Sequence, residues 1–479
     1  MPAHRTLALA VLMAVWWITE AIPIPATSLL PLVAFPFLGI MTYREVAPHY
    51  GNNIIFLFMG GFFLAMAMQK WDLHKRLALQ VIYVIGATPR RLVLGFMVAT
   101  AFISTMISNT STTLLMFPIA LAVVLQLSRN YLPGQAPLND ETRANFRTAL
   151  MLGIAYGASV GGVGTLIGTP PNVIFAGMVK TLYPRAPDVA FFQWMQIGMP
   201  LVLIFLPIIW LVLTRWVFPV AKTEWAGGRQ FIRKQLDELG GMTRGERGTL
   251  VVFLLTAVAL VFRRNIDLGL VVVPGWADAL GVAGHVGDTT VIMSAAICMF
   301  VLPVDWRRGQ FLLDWKTAVE IPWGILLLFG GGIALAKGFQ TTGLAAWFGT
   351  KLTYFSRLPV LAVILMVCLM LTFLTELTSN TAMTTLFMPI LASTAAAAHT
   401  HPFLLMIPAT LSASCAFMLP VATAPNAIVF GSGYVAISDM ARAGFVINLI
   451  GAVLITLVVY ALAIPVFGID PHVVPAWAK

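Results

Sequence analysis

The chain has 479 residues, of which 59% are hydrophobic and only 10% charged. A soluble domain carries about a quarter charged residues, so this composition excludes a soluble globular protein. The net charge of +10 would suggest nucleic acid in a soluble protein. In a membrane protein it is read as Lys and Arg gathered in cytoplasmic loops, and no nucleic-acid partner is expected.

Crossing a hydrocarbon core of about 30 Å takes roughly 20 apolar residues as helix. Backbone amides in lipid must be satisfied within the segment, and the apolar runs do not alternate, so the spans are expected to be helices rather than barrel strands. In chain order, the first half (1–218) shows spans near 6–22, 26–41 and 53–69, a helical hairpin near 92–127, and spans near 148–180 and 195–218. A polar linker at 219–246 is expected to be cytoplasmic. The second half (247–479) shows spans near 247–263, 287–303 and 321–338, a hairpin near 358–398, and spans near 403–434 and 443–468. Residues 5–15 have the make-up of a signal peptide, but Glu20 stands where a cleavage region would begin, and the segment is read as a retained span. Cys298, Cys368 and Cys415 lie in apolar stretches without metal-ligand spacing and read as packing residues.

Self-similarity organises the chain. Residues 58–69 (FMGGFFLAMAMQ) match 329–340 (FGGGIALAKGFQ), and 108–119 (SNTSTTLLMFPI) match 379–390 (SNTAMTTLFMPI), both pairs at an offset of 271. Thr-Pro-Pro-Asn at 169–172 matches Thr-Ala-Pro-Asn at 423–426 at an offset of 254, the difference being taken up by a polar loop at 128–147. Each half then has five crossings and one hairpin. Five is odd, so the second half enters the membrane in the opposite sense, as an inverted repeat. With both termini outward, the loops expected in the cytoplasm hold 19 of the 29 Lys and Arg.

Each Ser-Asn-Thr triplet, 108–110 and 379–381, sits between two apolar segments too short for comfortable separate spans, which fits a re-entrant hairpin with the triplet at its tip. Proline removes an amide donor and disfavours helix in the residue before it, so helices should break near Gly168-Thr169 and Ala422-Thr423. Breaks free carbonyls that suit a small cation and amides that attract a carboxylate. Ser, Thr and Asn also serve as ordinary glue between membrane helices, and a single triplet would favour that reading. Two triplets and two breaks in register favour a paired binding site. Glu376 reads either as a cation ligand or proton carrier, or as a carboxylate capping amides near a break; Glu20 is the other acid deep in apolar sequence. Gly60-Gly61 and Gly330-Gly331-Gly332 read as close helix packing or a flexible break, and His399 and His401 as loop residues. No Lys or Arg lies within ten residues of either triplet, so a bound dianion would rely on helix dipoles and co-bound cations.

The sequence resembles the divalent anion/sodium symporter family over nearly its whole length. The likeness is carried by WWITEAIPIPATSLLP at 16–31, MISNTSTTLLMFP at 106–118, GGVGTLIGTPPN at 161–172, LTELTSNTAMTTLFMP at 374–389 and SCAFMLPVATAPNAIVFGSG at 414–433. The resemblance implies sodium-coupled uptake of a small di- or tricarboxylate of the succinate, malate or fumarate type, with no cofactor and no covalent chemistry. It implies substrate contacts from Ser108, Asn109, Thr110, Thr169, Ser379, Asn380, Thr381 and Thr423. One sodium site would use Ser104, Ser108, Asn109 and the Gly168 carbonyl, and a second Thr375, the Thr378 carbonyl, Asn380 and the Ala422 carbonyl. It further implies a homodimer held by a scaffold domain, an elevator-like motion of hairpins and broken helices, and a multi-pass place in the plasma membrane, the inner membrane in a bacterium. A sodium-independent exchanger and a symporter of sulfate or another divalent anion remain as alternatives. An enzyme is not expected, since neither H-E-x-x-H nor G-x-S-x-G is present, and a channel or anion sensor is the other alternative class. Two departures stand out: family members commonly carry a further helix before the first repeat, and Ala424 stands where two consecutive prolines are usual.

Overall fold

The computed structural model describes residues 2–86, 88–129, 140–220, 228–267, 272–344, 347 and 359–478. In chain order the principal helices are α1 (Pro2–Thr19), α2 (Leu30–Phe37), α3 (Asn53–Lys70), α4 (Leu73–Ile85), α5 (Pro89–Ser104), α6 (Asn109–Arg129), α7 (Asp140–Val163), α8 (Pro170–Leu182) and α9 (Phe191–Leu211). After α10 (Gly228–Glu238) come α11 (Arg244–Val261), α12 (Asp288–Val301), α13 (Trp323–Thr341), α14 (Val360–Thr375), α15 (Asn380–Ala397), α16 (Phe403–Ala413), α17 (Ala424–Phe430) and α18 (Ile437–Val458). Most of the expected spans are matched by helices, but α4 and α10 fall in segments expected as loops, and α7 begins at Asp140, inside the segment read as a polar loop. The expectation of helix alone needs one correction: two small antiparallel pairs, Ile266–Asp267 with Val272–Val273 and Pro303–Asp305 with Gln310–Phe311, close loops outside the helices. Residues 130–139 of the polar loop at 128–147, and residues 221–227 of the linker, lie outside the described residues.

Among the described residues, five helical stretches are long and apolar enough to cross a membrane by length and composition: 43–70, 140–163, 191–217, 323–341 and 437–466. Shorter apolar helices stand beside them, including α6, α12, α14 and α16. Large apolar side chains such as Leu203, Ile204, Leu254, Leu255, Val453 and Leu457 are exposed, an arrangement that water would penalise and lipid accommodates.

Local chemistry fixes the ends. Asn52 caps α3 by accepting from the Ile54 amide at 3.1 Å, and Thr88 caps α5 ahead of Pro89, where a missing N–H costs nothing. Helices α3 and α13 run unbroken through their glycine runs, which therefore serve close packing. A Cβ on Gly331 would collide with the Ser28 carbonyl, and one on Gly332 with the Thr385 methyl.

The packing separates two groups of helices. α5, α6, α9 and α17 pack on α7, while α14 packs on α16 and α18, and α15 on α16 and α8. α3 and α11 pack on α12 instead, and α13 packs on the 47–51 turn and borders the first group along α8 and α15.

Candidate functional site

In the first half the chain reverses between α5 and α6, through Thr105 to Ser108. Ser104, the last residue of α5, is fully buried. Its Oγ lies 2.8 Å from Asn109 Oδ1 and 2.7 Å from the Ala158 carbonyl. One hydroxyl proton serves one acceptor at a time, so three oxygens share a single proton. Further oxygens converge here. A Cβ on Gly162 would strike Asn109 Oδ1 and stand 3.1 Å from the Gly168 carbonyl, and one on Gly168 would stand 2.9 Å from the Ser104 carbonyl. Only glycine leaves this room, and a cluster rich in acceptors and poor in donors is what a small hard cation needs.

Ser104, Asn109 and Gly168 of the expected first cation set are thus brought together. Ser108 stands apart: its Oγ is 3.0 Å from Ser111 Oγ and accepts from the Ser111 amide at 3.3 Å. Thr110 is exposed on the first turn of α6. Thr169 is buried in extended conformation (φ −141°, ψ 144°) immediately before the two prolines that open α8.

The second half repeats the construction. Thr375, the last residue of α14, has Oγ1 2.7 Å from Asn380 Oδ1 and 3.2 Å from the Ala413 carbonyl. Thr423 (φ −144°, ψ 149°) precedes α17 as Thr169 precedes α8. Ala422 ends a short turn one residue before it, the place of Gly168 in the first half. Ser379 is the residue before α15, and Thr381, on its first turn, is half-buried. Thr378 is buried, with Oγ1 3.5 Å from the Leu374 carbonyl.

Two residues given no role from sequence hold the breaks open. Asn172 Nδ2 lies 2.7 Å from the Thr165 carbonyl and 3.3 Å from those of Gly162 and Val163. Asn426 Nδ2 donates to the Ala416 and Leu419 carbonyls at 3.1 and 3.0 Å. Each asparagine is fully buried and clasps the loop just before its own helix. Their identical place after proline in both halves was the available signal.

The two halves fasten hairpin to break differently. In the first, Thr165 Oγ1 donates to the Thr105 carbonyl and accepts from the Gly168 amide at 3.1 Å. In the second, Glu376 stands at the position of Thr105, nearly fully buried. Its carboxylate accepts from the amides of Phe417 (2.7 Å), Met418 (3.0 Å) and Leu419 (3.1 Å) and from Asn448 Nδ2 (2.6 Å). Of the two readings of Glu376, the structure shows the cap. Glu20 lies exposed in a turn with φ 49°. His399 lies in the loop after α15, and His401 is buried against Phe403 and Trp477.

The halves meet. α17 packs on α6 and α7, and Tyr156 donates to the Phe417 carbonyl at 2.7 Å. Four helices, α6, α8, α15 and α17, therefore start at the polar motifs, and their first amides lack intrahelical acceptors and carry partial positive charge. The arrangement offers neutral oxygens to cations and amides to an anion.

A family model for the transmembrane region of sodium:sulfate symporters matches residues 1–469. The chain belongs to this symporter family. Relatives named sodium-dependent dicarboxylate transporter SdcS occur in Staphylococcus saprophyticus, 43% identical over 97% of this chain and 87% of the relative, and in Staphylococcus aureus, 43% identical over 97% and 86%. The symporter's fold is similar to the YdaH transporter of Alcanivorax borkumensis, with TM-score 0.60 at 13% identity over 97% of this chain and 99% of that one. It is also similar to MtrF of Neisseria gonorrhoeae, with TM-score 0.59 at 14% identity over 99% and 97%. These likenesses concern the fold.

Proposed function

We propose that this chain is a secondary active transporter of the plasma membrane that couples inward sodium flow to uptake of a small dicarboxylate of the succinate, malate or fumarate type. The observation that carries the reading is the duplicated oxygen cluster, Ser104 with Asn109 and Ala158 in one half and Thr375 with Asn380 and Ala413 in the other. The sodium dependence and dicarboxylate named for the SdcS relatives agree with it.

In this reading Ser104, Ser108, Asn109 and Gly168 hold one sodium ion, and Thr375, Thr378, Asn380 and Ala422 another. The substrate carboxylates meet Ser108, Asn109, Thr110 and Thr169 from one side, and Ser379, Asn380, Thr381 and Thr423 from the other. Residues 1–218 and 247–479 form inverted repeats joined by the 219–246 linker, the two hairpins are re-entrant, and two copies assemble through the helices outside the site. With no Lys or Arg within ten residues of either triplet in sequence, the bound sodium ions supply the charge that lets a dianion enter, so binding is cooperative between ion and substrate. Transport is by alternating access of elevator type, with the hairpins and broken helices moving as a block.

Purified protein in liposomes should accumulate labelled succinate under an inward sodium gradient and stop when the gradient is collapsed. Uptake that needs internal anion and ignores sodium would identify an exchanger instead. The family model's description also names sulfate, and competition of sulfate against succinate decides between the anions.

A further inference from the structure

Alternating access requires the site to open to each side in turn, so the helices that build it must move relative to those that do not. Helices α5 to α9 and α14 to α18 carry or pack around the site; α3, α11 and α12 stand apart from it, and α13 borders the first set along α8 and α15. Among the described residues, three polar ties from the second group to the first land on one ten-residue segment, 182–191, which links α8 to α9.

At its start the Leu182 carbonyl accepts from Gln340 Nε2, at the end of α13, at 2.6 Å. In its middle Asp188 Oδ2 accepts from Arg264 NH2, just beyond α11, at 3.3 Å. At its end the Phe191 amide donates to Asp288 Oδ2, the first residue of α12, at 2.8 Å.

Two of the ties are braced on their own side. Asp188 Oδ1 is held by Lys180 Nζ at 2.9 Å. Asp288 Oδ1 is held by Arg263 Nε at 2.5 Å, a pair of which only 3% and 9% is exposed. An exposed pair such as Asp188 with Arg264 contributes little by itself. A buried carboxylate with one oxygen committed to a guanidinium and the other to a backbone amide across the boundary resists separation much more.

We infer that segment 182–191 is a conformational latch: its ties to Gln340, Arg264 and Asp288 hold the site-bearing helices in the position seen here and must part in every transport cycle. This rests on the transport reading above. It assigns Asp288, Arg264 and Gln340 as positioning residues remote from both triplets.

The test replaces Arg264→Cys and Asp188→Cys together and joins the thiols with a short bis-maleimide whose spacer is cleaved by reduction. Wild type treated in the same way controls for the exposed Cys298, and Lys180→Cys with Asp188→Cys, both on the site-bearing side, controls for cross-linking as such. The expected result is loss of sodium-driven uptake in the 188/264 protein, unchanged sodium-dependent substrate binding, recovery on cleavage, and continued uptake in the 180/188 protein. Uptake that survives complete 188/264 cross-linking, or a pair that never cross-links, overturns the latch. So does loss of substrate binding together with uptake, because the segment lies outside the site. Absence of uptake by untreated wild type would count against the transport reading by itself.

Discussion

Asn109 and Asn380 each accept on the side-chain oxygen from a hydroxyl whose single proton a backbone carbonyl also faces, Ser104 Oγ at 2.8 Å and Thr375 Oγ1 at 2.7 Å. Replacing either by alanine would remove one of the proposed cation ligands without breaking a helix, since both open their helices rather than lie within them. Asn109→Ala and Asn380→Ala should each weaken sodium-dependent substrate binding by about tenfold or more, on the scale of a lost charge-assisted contact of about 1.5–3 kcal/mol. Equilibrium binding measured against sodium concentration checks this, and normal coupling in both variants would remove the site assignment. Glu376 behaves otherwise. All its described partners are donors, so Glu376→Gln points an amide N–H at other N–H groups. The expected cost is on the order of 1–3 kcal/mol, seen as a lower thermal midpoint in detergent. An unchanged midpoint would show that the cap contributes nothing to the fold.

At the scale of elements, the triplets and prolines told where hairpins turn and helices restart, because proline's effect on itself and the preceding residue is local. They did not tell where the preceding helices stop. α7 ends at Val163 and α16 at Ala413, well before Thr169 and Thr423. The carbonyls of Gly162, Val163 and Thr165 are taken by Asn172, and those of Ala416 and Leu419 by Asn426. Such contacts reach back seven to ten residues, beyond any propensity window. Helices α4 and α10 were missed because they are short and carry charge, below the signal of a span. Ala424, the departure from a double proline, is open to the converse test. It is the exposed first residue of α17, where an amide has no intrahelical acceptor, and Thr423 already has the extended backbone that a following proline demands. Ala424→Pro should therefore fold and gain about 0.4–1 kcal/mol by restricting the unfolded chain. A fall in thermal midpoint would contradict this geometry.

For the whole molecule, charge is concentrated at the two ends of the helical bundle. One end holds Lys70 with Asp314 at 2.7 Å and Arg76 with Glu246 at 2.6 Å. The Lys70 ammonium, hydrogen-bonded to Asp314, holds that carboxyl down at about 2, so the contribution of this pair is present above the ordinary carboxylate range and is lost only as pH falls towards 2. The other end holds Lys180 with Asp188 and Arg263 with Asp288. The first end also gathers the turn at Arg307 and Arg308 and the linker helix α10, and so most of the basic loops. Positively charged short loops stay in the cytoplasm, so this end is expected inside and the turn around Leu280 outside. The structure supplies a reporter for each side: Leu280 is 70% exposed in the outer loop, and Arg307 is exposed in the inner turn. Cysteines placed singly at these positions should react differently with a membrane-impermeant maleimide applied to intact cells, Leu280→Cys being labelled and Arg307→Cys only after the cells are opened. Native Cys298, exposed on the apolar helix α12, is measured as background in the unsubstituted chain. The reverse labelling pattern would turn the molecule over, and with it the face on which the 182–191 latch lies.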